Sequence, residues 1–194
     1  TQKQYVDSLE SSTDTLLHLL NDILDISKME AGQMDLDSRE FNLNALCHEL
    51  VEAHRSRIKG EPVQLMLQFD KRIDHAVIGD PVRLRQILGN LLSNACKFTK
   101  EGAIVLELNL IENKWESYHI KFAVHDTGIG IPAEKQKHIF ERFKQADAAT
   151  GNEFGGTGLG LSIAQSIVNQ HHGLIAFTSE AGDTCFSIYL PMMD

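Results

Sequence analysis

Cysteine is scarce in this chain. Cys47, Cys96 and Cys185 are odd in number, far apart and outside any Cys-x-x-Cys spacing. That excludes a disulfide framework and the usual zinc ligand sets, and it reads as reduced thiols of a cytosolic protein. Long apolar runs are missing too. No stretch approaches the roughly 18 residues that a membrane-spanning helix needs; the nearest, 16–24, is broken by His18, Asn21 and Asp22, so the chain reads as soluble. Positive charge is in deficit, with 18 Lys and Arg against 27 Asp and Glu and a formal net charge of −9. Such a balance repels phosphate backbones and anionic lipid unless basic residues cluster locally, so no nucleic acid is expected among the partners. With four prolines, 14 glycines and neither internal repeat nor low-complexity tract, the sequence is not collagenous and not a disordered linker. What remains is 194 residues, 42% of them hydrophobic, enough for one or two packed cores. Position 1 is a threonine with no signal-peptide pattern after it, which reads as a piece of a longer protein.

The hydrophobic periodicity changes near Gln33. Before it, Val6, Leu9, Thr13, Leu16, Leu20 and Ile23 step by alternating threes and fours, with Leu17 and Leu24 widening the stripe. This predicts a long amphipathic helix over 6–30 with a bundle-type seam, closed by Gly32 in the left-handed conformation. Residues 1–32 and 33–194 are therefore read as separate units. The second unit reads as mixed α/β: a helix over 44–59, an alternating strand over 63–69, and a helix from an Asp80-Pro81 start to Phe98. A hairpin of strands over 103–110 and 118–125, a helix over 158–171 and strands over 174–178 and 184–190 complete it. That order predicts a mixed sheet with helices on one face.

Three stretches carry chemistry. On the helix after Asp80, Leu84, Ile87, Leu88, Leu91, Leu92 and Ala95 form an apolar stripe, while Gln86, Asn90, Asn94 and Lys97 recur at steps of four, four and three. A solvated face favours Glu, Lys and Arg, whereas two Asn one turn apart sacrifice helix propensity and offer amide oxygens to a hard cation. A magnesium site and a plain surface stripe both fit that spacing. Next, His125-Asp126-Thr127-Gly128-Ile129-Gly130-Ile131-Pro132 follows an apolar strand. Asp126 at the strand end is either a capping residue of the turn or the acceptor for an exocyclic amino group, with Gly128 and Gly130 permitting close backbone approach. A dinucleotide fingerprint is disfavoured, since Pro132 stands where the following helix should donate amides. Last, Gly155-Gly156-Thr157-Gly158-Leu159-Gly160-Leu161 opens a helix bearing Ile163, Ala164, Ile167 and Val168. Unpaired amides and the positive end of the helix dipole meet there, as in a phosphate cradle, and no Gly-Lys-Ser/Thr is present for a Walker loop. Residues 144–154 lack periodicity and read as a mobile lid, its ends tethered by Phe140, Phe143 and Phe154.

The order of these motifs resembles the catalytic, ATP-binding domain of sensor histidine kinases, in the ATPase clan of DNA gyrase and the mismatch-repair ATPases. Asn90-Leu91-Leu92-Ser93-Asn94-Ala95-Cys96-Lys97-Phe98-Thr99 looks like the family's N box, 126–130 its first glycine box, 140–143 its F box and 156–160 its second glycine box. The opening helix, ending Leu19-Leu20-Asn21-Asp22-Ile23-Leu24-Asp25-Ile26-Ser27-Lys28, looks like the second helix of the dimerisation domain. Phe143-Lys144-Gln145-Ala146-Asp147 is closest to hybrid kinases, which carry receiver domains. The resemblance implies a Bergerat-type mixed-sheet sandwich preceded by a bundle helix, with ATP and Mg2+ as cofactors. By position, Asn94 would coordinate magnesium with Asn90 in support, Lys97 would neutralise phosphate charge, and Asp126 would recognise the adenine amino group. Gly128 and Gly130 would admit the nucleotide, Gly156, Thr157, Gly158 and Gly160 would cradle phosphates, Leu159 and Ile131 would line the base pocket, and Phe140 to Phe143 would hinge the lid.

The implied reaction is attack of a neutral imidazole on the γ-phosphoryl of Mg-ATP, followed by relay to a receiver aspartate. The acceptor histidine belongs to a helix before the opening one and is not in this sequence, so the chain is not expected to autophosphorylate alone. Implied partners are an own or partner-chain dimerisation domain, a receiver domain or response regulator, and a second copy in a parent homodimer. The parent is implied to be an inner-membrane sensor with this portion in the cytoplasm. Two departures stand out: the last turn, Gly182-Asp183-Thr184, is shorter than usual, and Asn152-Glu153 occupy positions that are basic in many relatives. Two other readings are an ATP hydrolase of the same clan and a degenerate ATP-binding module that regulates another kinase by docking. The first needs a carboxylate one turn before Asn90, where Gln86 stands.

Overall fold

A computed structural model describes residues 9, 13, 16–17, 20–28, 31, 33–73, 76–112, 118–141 and 158–192. The chain divides into two compact units, Thr1–Asp35 and Leu36–Asp194. In the first, residues 20–28 form helix α1, and residues 9, 13, 16 and 17 are helical as well. Leu9, Leu16, Leu20 and Ile23 on its stripe are exposed. The expected stop at Gly32 lies outside the described residues. No helix among the described residues is long and apolar enough to cross a membrane.

The second unit starts with β1 (Arg39–Asn42) and α2 (Leu43–Arg57), whose N-cap Asn42 accepts a hydrogen bond from the Ala45 amide. β2 (Val63–Phe69) and β3 (Ala76–Gly79) precede α3 (Pro81–Phe98). Asp80 caps α3 as the sequence predicts, its Oδ1 accepting from the Val82 and Arg83 amides at 3.0 Å each, while Pro81 occupies a position that needs no donor. β4 (Gly102–Glu112), β5 (Tyr118–Asp126), the single turn α4 (Ala133–Gln136), α5 (Gly160–Gln170), β6 (Leu174–Glu180) and β7 (Asp183–Met192) follow.

Five strands form one sheet in the order β2-β4-β5-β7-β6; β2 runs parallel to β4 and the other pairs are antiparallel. The expected mixed sheet is therefore present. Alternation places Ile104, Leu106 and Leu108 of β4, Ile120, Phe122 and Val124 of β5, and Phe186, Ile188 and Leu190 of β7 on one face, all buried. The helices cover that face: α3 packs on α2, α5, β4 and β5, α2 on β2, and α5 on β6. Each fully buried Leu, Ile or Phe contributes about 1.5–3 kcal/mol, so the core holds these layers firmly. The opposite face carries Glu107, Lys121, His125 and Thr178, none of the four buried.

A second sheet was not expected from the sequence. β1 pairs antiparallel with β3, Phe41 opposite Val77. Each strand has only four residues, too few for alternation to show as a period.

Candidate nucleotide site

The site gathers where the C-terminal ends of α3 and β5 meet the β6–β7 turn. Asp126 is the last residue of β5 and stands on the helix-covered face, between Ile104 and Thr184 in the ladder. It is 9% exposed. Its Oδ1 accepts from the Gly128 amide at 2.9 Å and the Thr99 hydroxyl at 3.5 Å. No hydrogen bond reaches Oδ2 among the described residues. Burial raises the pKa of this carboxyl, against the lowering effect of the Gly128 and Thr99 hydrogen bonds. One oxygen is thus fixed and the other is open to a donor.

The turn after Asp126 is compressed between two walls. A Cβ on Gly128 would lie 2.6 Å from the Phe98 carbonyl oxygen and 2.7 Å from Asp126 Oδ1. Gly130 has φ +74° and approaches the Glu180 carbonyl so closely that a Cβ would lie 2.5 Å from it. The Ile129 amide donates to Phe98 O at 3.3 Å, and the Gly182 amide donates to Gly128 O at 2.8 Å. The short last turn, a departure in sequence, is therefore part of this wall. At the far end the Ile131 amide donates to Ser179 Oγ at 2.8 Å, and Ser179 Oγ shares a 2.8 Å hydrogen bond with Thr184 Oγ1. Gln136 Nε2 donates to the carbonyls of Ile131 and Ser179 at 2.9 and 3.0 Å.

On α3 the two stripes separate as the spacing predicts. Leu84, Ile87, Leu88, Leu91, Leu92 and Ala95 are buried, and Gln86, Asn90, Asn94 and Lys97 are half-buried. Asn90 Nδ2 donates to Gly160 O at 3.1 Å, and a Cβ at Gly160 would come within 3.3 Å of Asn90 Cγ. That contact seats the start of α5 on the polar stripe of α3. The Asn94 side chain makes no hydrogen bond among the described residues. Lys97 Nζ lies 4.7 Å from the centre of the Phe98 ring, and burial lowers its pKa. Gln86 Oε1 accepts from Arg83 Nη1 at 2.8 Å.

Gly158 has φ +68°, and the N-cap Leu159 is fully buried and offers no side-chain acceptor to the first amides of α5. Ser162 does not cap them either, since its hydroxyl donates to Leu159 O at 2.8 Å. The first turn of α5 thus keeps donors that have no carbonyl within the helix. Phe140 meets Phe177 edge to face at 5.9 Å between ring centres, and Phe177 stacks on Phe186 at 5.5 Å. Phe143, Gly156, Thr157 and the lid over 144–154 lie outside the described residues. Among the described residues no three His, Cys, Asp or Glu side chains are grouped to hold a metal ion; the amide oxygens of Asn90 and Asn94 are hard donors of the kind magnesium accepts.

Sequence reasoning missed Thr99, Gln136, Ser179 and Thr184. Thr99 and Thr184 stood inside quoted motifs, but the contact of Thr99, the C-cap of α3, with Asp126 needs the packing of α3 on β5, and that of Thr184 with Ser179 needs the ladder register. Gln136 and Ser179 carry no motif at all.

Residues 79–194 match the family described as histidine kinase-, DNA gyrase B-, and HSP90-like ATPase. Over 184 residues the chain is 42% identical to the signal transduction histidine-protein kinase BarA of Escherichia coli, covering 93% of this chain and 20% of that protein. It is 39% identical over 198 residues to the hybrid signal transduction histidine kinase L of Dictyostelium discoideum, covering 98% of this chain and 12% of the other. The chain thus spans a fifth or less of these two relatives. In structure it resembles full-length ShkA in complex with AMPPNP, with a TM-score of 0.83 and 29% identity over 98% of this chain and 39% of that one.

Proposed function

We propose, from the premise that the chain belongs to the histidine kinase-, DNA gyrase B-, and HSP90-like ATPase family, that it is the ATP- and magnesium-binding catalytic part of a hybrid-type sensor histidine kinase. Its phosphoryl acceptor is a histidine of a dimerisation domain, for relay to a receiver aspartate. The observation that carries this reading is the arrangement around Asp126. A buried carboxylate with one oxygen fixed by Gly128 and Thr99 presents the other beside the glycine turn, which suits an adenine amino group.

Asn90 supports the phosphate end. It donates to Gly160 O at the start of α5, and Asn94 stands one turn on along the same stripe of α3. Hard amide oxygens suit magnesium, so Asn94, with Asn90 in support, would hold the ion, which would supply neutralisation of phosphate charge. The residues of this chain do the rest by placement. The α5 amides and Lys97 face the phosphates, and Asp126 fixes the base, so the γ-phosphoryl points out toward an acceptor; such transfers depend chiefly on alignment and electrostatics. Hydrolysis is disfavoured because Gln86 holds Arg83 through its amide oxygen and cannot accept a proton from water.

The test supplies the missing half. The chain is mixed with Mg-ATP labelled at the γ-phosphoryl and an acceptor-histidine dimerisation domain taken from a hybrid histidine kinase. Acid-labile, base-stable label on that domain, lost in Asn94→Ala, is expected. Nucleotide binding with no transfer to any such acceptor would favour the docking module instead.

A further inference from the structure

The glycine turn is held from both sides, and the second side is assigned no role by the reading above. Ile131, at its far end, is gripped at both backbone atoms: its N–H by Ser179 Oγ and its carbonyl by Gln136 Nε2. The second hydrogen of the Gln136 amide goes to Ser179 O. Ser179 therefore takes one hydrogen bond at its hydroxyl and another at its carbonyl, and its hydroxyl pairs with Thr184, which stands opposite Asp126 in the ladder. A single side chain, that of Gln136, closes this ring.

The spacing fits two supports on one strand. Gln136, the last residue of α4, and Phe140 are four residues apart, Phe140 lying in the turn that follows the helix. Ser179 and Phe177, their partners, are two apart on one face of β6, about 6.6 Å. The polar grip and the aromatic contact thus fall on adjacent same-face positions of the edge strand. The amide NH2 of Gln136 carries two donors, one for each carbonyl, without adding a charge. A carboxylate there would face two acceptors, and an apolar residue would leave both carbonyls unpaired.

We infer that Gln136 is a positioning residue for the nucleotide base: by tying Ile131 to Ser179 it holds the glycine turn at the distance from Asp126 that an adenine ring requires. The inference rests on the nucleotide-site reading above and concerns the base end of that site, not the phosphate end.

The experiment is calorimetric titration of the 194-residue chain with Mg-ADP and, separately, with Mg-pyrophosphate, for wild type, Gln136→Ala and Gln136→Glu, each with its ligand-free Tm. Gln136→Ala is expected to weaken ADP binding roughly 5- to 30-fold, the span of one or two lost hydrogen bonds, while pyrophosphate affinity stays within about twofold. Gln136→Glu is expected to bind ADP no better than Gln136→Ala at pH 7.5. Its affinity relative to wild type should then rise toward pH 5, as protonation restores one donor; the ratio cancels the titration of Asp126. Wild-type binding of ADP with both variants within twofold of it would overturn the inference and leave the site reading standing. A parallel fall of ADP and pyrophosphate affinity that tracks the drop in Tm would overturn it too, because that is a general packing role. Failure of the wild-type chain to bind ADP would overturn the inference and the site reading together.

Discussion

At Asp126 two demands on one carboxyl pull in opposite directions. Burial penalises the charged form and raises the pKa, whereas recognition of an amino group needs an acceptor. An acid whose folded pKa exceeds its unfolded value binds more protons when folded, so stability falls as pH rises from the ordinary carboxylate range, about 3.9, through the raised folded value. Asp126→Asn removes that cost and is expected to leave the nucleotide-free Tm at pH 7.5 equal to or above wild type. The same change reverses the chemistry at the open position. Because the Gly128 amide and the Thr99 hydroxyl hold Oδ1, the Asn oxygen takes that place and its NH2 faces the adenine amino group, donor against donor. Thermal scans with millimolar Mg-ADP should show a shift of RT ln(1 + [L]/Kd) in wild type and none in Asp126→Asn. A variant that is less stable and still shifted would refute both halves of this account. Asp126 was legible in the sequence as a carboxylate at a strand end. Which of its oxygens is held was not, because Thr99 lies 27 residues away and only the fold brings it there.

Among the elements, legibility followed period and length. The helix from Asp80-Pro81 to about Phe98 was readable because cap, proline and a long apolar stripe agree. β2 was readable over 63–69 for a similar reason: seven residues alternate between flanking turns. α5 begins at Gly160, two residues after the expected 158, since glycines mark a turn without saying where its helix starts. β1 and β3 went unread because each is made by pairing with the other and not by its own pattern. Glycines bear the same lesson in energetic form. Gly89 lies inside α3 with nothing within 4 Å of its missing Cβ, so Gly89→Ala should stabilise the unit by about 0.5–1 kcal/mol through helix propensity. Gly130 has φ +74° and a carbonyl 2.5 Å from the Cβ it lacks. Gly130→Ala should cost about 2–3 kcal/mol and weaken Mg-ADP binding, because the Asp126 wall must shift to make room. Urea unfolding of the two variants side by side checks the opposite signs, and equal effects would mean that backbone conformation at the turn is not what requires glycine.

The molecule as a whole separates what binds from what joins. Every described residue assigned to the nucleotide site, from Gln86 to Thr184, belongs to Leu36–Asp194. The exposed stripe of Leu9, Leu16, Leu20 and Ile23 belongs to Thr1–Asp35. Those apolar side chains are half or more exposed, and such a stripe seeks cover from another helix. Both features were legible in the sequence, the first through motif order and the second through alternating threes and fours. What seats the start of α5 on the polar stripe of α3 was not, because Asn90 and Gly160 are 70 residues apart. From this division we expect the truncated chain 36–194 to bind Mg-ADP within about twofold of the full chain. The full chain alone should gain apparent mass with concentration in sedimentation velocity, since it alone carries the stripe. Leu16→Lys with Leu20→Lys in the full chain should abolish that gain without touching nucleotide affinity. Loss of ADP binding on truncation would place part of the site in the first unit. Association that survives both the truncation and the lysines would move the self-contact onto the α/β unit.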